Sequence, residues 1–165
     1  MIFTKPCQKH CQDMPVLLTT QLDRHSQLLA TDRLSLTAEE RSRSRHPHLT
    51  ESGREVYLQL KRGTNLRHGD RLQAADDNLD LVVEIIAKPE QVMVVTAVAA
   101  LDLLQAAYHL GNRHVPLEIT DDRLYLLPDP VLQDLLHQRG LNVTIADRPF
   151  QPQAGAYAAT PHHHH

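Results

Sequence analysis

The stretch from residue 91 to 146 keeps changing its hydrophobic period, and that alternation constrains the fold more than any other feature of the chain. "QVMVVTA" (91–97) is a β-branched run of strand length. "VAALDLLQAAYHLG" (98–111) then switches to helical spacing, with Leu101, Leu104 and Tyr108 in register and Gly111 where a C-terminal cap would sit. Val115, Leu117 and Ile119 alternate with Pro116, Glu118 and Thr120 as a half-buried strand, and "TDDR" supplies a turn before a second strand at "LYLL" (124–127). In "PDPVLQDLLHQRG", Asp129 is a good N-cap, Pro130 fits the first helical position, Leu132, Leu135 and Leu136 form a stripe, and Gly140 can close the helix. "LNVTIA" alternates Leu141, Val143 and Ile145 as a last strand. The order is βαββαβ, which predicts a ferredoxin-like domain over residues 89–150, a four-stranded antiparallel sheet with both helices on one face. The other face then requires solvent, another domain or a second copy of the chain.

Residues 15–88 read differently, as short strands ("PVLLTTQL", "EVYLQL", "DRLQA", "LDLVVEII") broken by "KRGTN", "RHGD" and "ADDN". This predicts a small N-terminal β domain and an α+β chain overall. Val56, Leu58 and Leu60 share one face while Tyr57 and Gln59 take the other, as in a sandwich strand. Lys88-Pro89 marks the expected boundary, since proline restricts both itself and its predecessor. Residues 1–14 read as a disordered polar leader and 151–165, "QPQAGAYAATPHHHH", as a flexible tail.

A chain of 165 residues with 41% apolar side chains supports a modest core. Its formal charge of -3 lacks the basic excess that would bind nucleic acid or an anionic membrane unaided. The longest apolar stretch, residues 92–101, is interrupted by Thr96 and is shorter than the roughly 20 residues of a membrane span. No secretory h-region is legible and there are only 2 cysteines, so a cytoplasmic location is expected. Cys7 and Cys11 bracket His10; they could add soft ligands for zinc or nickel, or be reduced thiols in a tail.

Histidine is the unusual count, at 12. His114 stands between a helix end and a strand, where rigid elements hold a side chain without burying it. Imidazole, half-titrated near pH 6.5 in its ordinary state, keeps a free lone pair at neutral pH and binds nickel, copper or zinc. Packing or simple hydrogen bonding is the competing reading, and one histidine makes no enclosed site. A twofold axis would alter that, because one His114 per chain becomes a pair facing a single ion. Such an open site accepts a metal and also releases it, as a carrier must.

The segments "YHLGNRHVPLEI", "LTAEERSRSRH", "GREVYLQLKRGTNLRHGDRL" and "PFQPQAGAY" resemble the urease accessory nickel chaperone family, UreE, over about residues 15–157. The resemblance implies an N-terminal β domain, a ferredoxin-like metal-binding domain and a homodimer formed through the latter. It also implies nickel held between two copies of His114, with zinc or copper able to substitute, and delivered to the urease apoprotein complex together with a GTP-hydrolysing accessory protein. The chain departs from the family at "LLPDPV", where some members carry further histidines and this one has Leu127, Pro128 and Pro130. His68 stands where an acidic residue is common. His162, His163, His164 and His165 read as provisional extra ligands, raising affinity by local concentration, or as part of a purification tag.

The remaining histidines carry weaker signals. His109 suits a helix C-terminus. His46 and His48 in "RHPH" share a face if extended but have no acidic or thiol partner nearby in sequence. His137 and His25 show nothing stronger. "ERSRSR" (40–45) reads as a solvated loop or as a dock for an acidic partner. An enzyme is not supported, because G-x-S-x-G, H-E-x-x-H and P-loop motifs are absent. Two alternatives remain: an RNA-binding domain of the same strand order, disfavoured by 4% aromatic content, and a peptide-binding β module with a dimerisation domain and no essential metal.

Overall fold

The computed structural model describes residues 14–154 except 24 and 76–79. The N-terminal half carries β1 (Val16–Gln21), β2 (Asp32–Leu36), a short helix α1 (Ala38–Ser42), β3 (Arg45–Leu49), β4 (Glu55–Gln59), β5 (Arg71–Ala74) and β6 (Val82–Ala87). These strands form one six-stranded sheet in the order β2-β6-β5-β1-β4-β3, with β1/β4 and β2/β6 parallel. Alternation along β4 puts Val56 and Leu58 fully inside, as expected from its pattern.

The sandwich expectation is corrected. Leu34 and Leu36 from one edge strand share a core with Leu58 and Val56 near the other edge, so a single sheet curls around its own apolar face. The β3–β4 turn reaches back to β2, with Glu51 N donating to Arg33 O at 2.9 Å and Ser52 Oγ to Asp32 Oδ2 at 2.5 Å. Curling brings the β3–β4 turn onto β2 at the far end of the sheet.

Lys88 alone separates β6 from the second sheet, and its N–H donates to Leu36 O at 2.9 Å. The C-terminal half runs β7 (Pro89–Thr96), α2 (Ala100–Gly111), β8 (Glu118–Ile119), β9 (Leu124–Leu126), α3 (Pro130–Gln138) and β10 (Asn142–Pro149). Its strands are ordered β10-β7-β9-β8, and every pairing is antiparallel. Met93, Val95, Leu124 and Leu126 pack with Leu103, Ala106 and Leu110 of α2 and with Leu136 of α3 in one cluster, so both helices cover the same face.

Helix α3 is built as its sequence dictates. Asp129 accepts from Val131 N at 2.8 Å and Leu132 N at 3.0 Å, and Pro130 sits where no N–H is required. Gly140, at φ 78°, ends it: Gly140 N donates to His137 O and Leu141 N to Leu136 O. Strand β8 is shorter than its alternation suggested, with Leu117 buried ahead of it and Ile119 exposed.

The helix-free face of the second sheet is partly covered by the N-terminal half. Ala38, Val92 and Phe150 form a small core against Val94 and Tyr125. Arg41, only 2% exposed, fastens this junction through three carbonyls, those of Leu36, Leu66 and Phe150. "ERSRSR" is therefore not a uniformly solvated loop. Its first arginine, Arg41, is interior, while Arg43 pairs with Glu39 on the surface of α1.

Candidate metal site

Helix α2 ends in a way its sequence did not announce. Gly111 is the last helical residue and does not adopt a left-handed conformation; that falls to His114, at φ 57°. Val115 N donates to Leu110 O at 3.2 Å and His114 N to Gly111 O at 2.9 Å. This is the same pair of bonds that closes α3 around Gly140, with histidine where glycine usually stands. Val115 and Leu110 both join the apolar cluster, which anchors the turn from either side. The imidazole is thereby held on a fixed backbone, exposed to solvent.

Beside it runs a second unexpected feature. Leu101, Leu104 and Tyr108, which recur at helical spacing in the sequence, are 61%, 67% and 66% exposed. The side chains that α2 buries are Leu103, Ala106 and Leu110. The helix is apolar on two faces, one on the sheet and one in solvent, and the outer stripe leads toward the end that carries His114. Val98, just before the helix, extends it.

Around His114 the other groups are engaged locally. Arg113 Nη1 donates to His109 O at 3.2 Å, and the His109 ring lies edge-on to Tyr108, centroids 5.5 Å apart. Among the described residues no three His, Cys, Asp or Glu side chains converge, so within one chain His114 is a single imidazole. Cys7, His10, Cys11 and His162, His163, His164 and His165 lie outside the described residues.

His68 is structural, a role its turn position did not reveal: its ring Nδ1 accepts from Ala87 N at 3.2 Å and its backbone N–H donates to Gln151 Oε1 at 3.2 Å. Leu127 and Pro128 precede the α3 cap and bring no ligand atom, consistent with the sequence. The rings on the helix-free face are Tyr125, covered by the Arg148 guanidinium at 3.8 Å, and Phe150, fully buried. Neither is open for a base to stack on. No helix among the described residues is long and apolar enough to cross a membrane.

Comparison with known proteins covers both halves. Residues 17–87 match the family model for the N-terminal domain of UreE urease accessory protein, and residues 90–165 match that for its C-terminal domain. The chain is 53% identical over 131 residues to a urease accessory protein UreE of Nostoc sp., spanning 79% of this chain and 86% of the relative. It is 54% identical over 127 residues to that of Thermosynechococcus vestitus (76% and 86%), and 47% identical over 148 residues to that of Citrobacter koseri (90% and 95%).

Proposed function

The chain belongs to the UreE family of urease accessory proteins, and from that premise we propose that it is a nickel carrier for urease maturation, with the ion held between the His114 side chains of two copies. It is an accessory protein and not an enzyme. The observation that carries the nickel reading is His114 itself, exposed and fixed in a left-handed turn beside an uncovered apolar stripe. A residue kept in that conformation at a cost in stability points to a role outside the fold.

The homodimer follows from the stripe. Leu101, Leu104 and Tyr108 form a row that a symmetric contact between two α2 helices would bury, and that contact would bring the two helix ends into one neighbourhood. The C-terminal half is read as ferredoxin-like, a reading supported by the order β10-β7-β9-β8 and by both helices lying on one face. It acts as the metal-binding and dimerisation domain, and residues before Lys88 as a separate β domain.

Two imidazoles leave most of the coordination sphere to water, so the ion can be released. Zinc and copper can take the same ligands. The terminal histidines, His162 to His165, act as auxiliary ligands. The cargo passes, in the cytoplasm, to a urease apoprotein complex that includes a GTP-hydrolysing accessory protein. The direct test is nickel-dependent activation of apo-urease with its other accessory proteins: His114→Ala is expected to lower the activated fraction at limiting nickel, and excess nickel to restore it. Full activation by the variant at limiting nickel would contradict the reading.

A further inference from the structure

On the edge strand β3, His46 and His48 stand on the same side, two residues apart. Their ring centroids are 4.8 Å apart with planes tilted by 40°. Across the ladder they face Leu58 and Val56, both fully buried, so the two rings sit at the rim of the N-terminal core. Pro47 between them points to the opposite side.

Each ring has a nitrogen that no described residue engages. His46 Nδ1 lies 2.8 Å from Pro47 O; a carbonyl only accepts, so that nitrogen carries the proton and Nε2 of the neutral ring is bare. His48 Nε2 is buried with no hydrogen-bond partner among the described residues. Burial, and then the neighbouring His46, hold the His48 imidazole below its ordinary pKa, against the pull of Glu40. A neutral ring has one nitrogen free of a proton. Of the charged groups near it, Glu40 favours a cation and Arg43 opposes one, but Arg43 is tied to Glu39. Two imidazoles sharing an ion at about 2.1 Å place their ring centres about 5 Å apart, close to the separation already present.

We propose that His46 and His48 form a second cation site, one per chain, for a borderline divalent ion such as nickel or zinc, its coordination completed by water. Unlike the site at His114 it needs no second copy of the chain. Its ligands lie two residues apart on one strand, and the His48 ring turns outward to bring its buried nitrogen to the ion.

The test uses the full chain with His114 and His162 to His165 all replaced by alanine, titrated with nickel by calorimetry beside the same chain that also carries His46→Ala. The first is expected to bind one ion per chain. The second is expected to lose roughly tenfold or more in affinity, together with the nickel-induced rise in Tm. His46→Gln repeats the comparison with side-chain volume retained, in case the alanine variant folds poorly. Copper in place of nickel, read by the nitrogen splitting in its electron paramagnetic resonance, should show two equivalent imidazoles in the first chain and one in the second. Equal affinity in the two chains, or no binding in the first, would overturn the proposal. Because His114 is missing from both, neither result bears on the ion shared between two copies.

Discussion

His114 occupies a backbone conformation that costs a residue with a Cβ on the order of 1 kcal/mol relative to glycine. His114→Gly is therefore expected to raise stability by about 0.5 to 1 kcal/mol in urea titrations while abolishing tight nickel binding. A less stable glycine variant would show that the imidazole supports the fold. The candidate was legible because a histidine follows a helix and precedes a strand. The left-handed turn was not, since Gly111 offers itself as the cap and the real closure depends on Val115 packing against the core beside Leu110. Arg41 was illegible for a different reason: two of its three acceptors, Leu66 O and Phe150 O, are distant in sequence. Truncating it strands buried carbonyls, and Arg41→Ala is expected to cost about 3 to 5 kcal/mol by thermal or urea unfolding. A change below about 1 kcal/mol would mean the guanidinium does not hold the two halves together.

At the scale of elements, α2 shows why a period alone is ambiguous. Leu101, Leu104 and Tyr108 repeat at the same spacing as Leu103, Ala106 and Leu110, and only the tertiary structure says which row faces the sheet. Leu104→Glu is expected to turn a dimer into a monomer in light scattering with helix content unchanged, as befits an exposed position. A dimer that survives would place the contact elsewhere. The helix α1 escaped the sequence reading although Thr37 and Glu40 form a capping box, with Glu40 N donating to Thr37 Oγ1 at 3.3 Å and Thr37 N to Glu40 Oε2 at 2.8 Å. Strand β3 was not among the strands read from the sequence, although His46 and His48 share a face if extended; its place at the sheet edge tolerates Pro47.

Two groups in this region make the protein sensitive to acid. Burial pushes the Glu40 carboxyl up, but the hydrogen bonds from Thr37 outweigh it and hold it below the usual carboxylate range. The stability Glu40 contributes is present above the unfolded pKa and lost as pH falls through the lower folded one. His48, held down mainly by burial, acts in the same direction: the unfolded chain takes up the proton first, so stability is full above about pH 6.5 and declines below it. His48→Phe is expected to flatten the fall of the urea midpoint between about pH 6.5 and 5. An unchanged slope would show that His48 is not the titrating group.

For the whole molecule, the alternation of strand and helix after residue 91 survives in the observed order of elements because β7, α2 and β10 are long, α3 is capped by Asp129, and the short β8 and β9 pair as neighbours in sequence. The first half was legible only as strands. Its parallel pairs β1/β4 and β2/β6 join segments separated by whole strands and turns, and nothing local encodes which edge meets which. Nor does a single chain show the proposed central site, which would form only when a second copy supplied its half. The measurement that reaches this most directly is a nickel titration by calorimetry at neutral pH on the chain ending at Tyr157, beside its His114→Ala variant. One tight ion per two chains is expected in the first and no ion at that stoichiometry in the second. Tight binding retained by the variant at that stoichiometry, or missing from both, would contradict it.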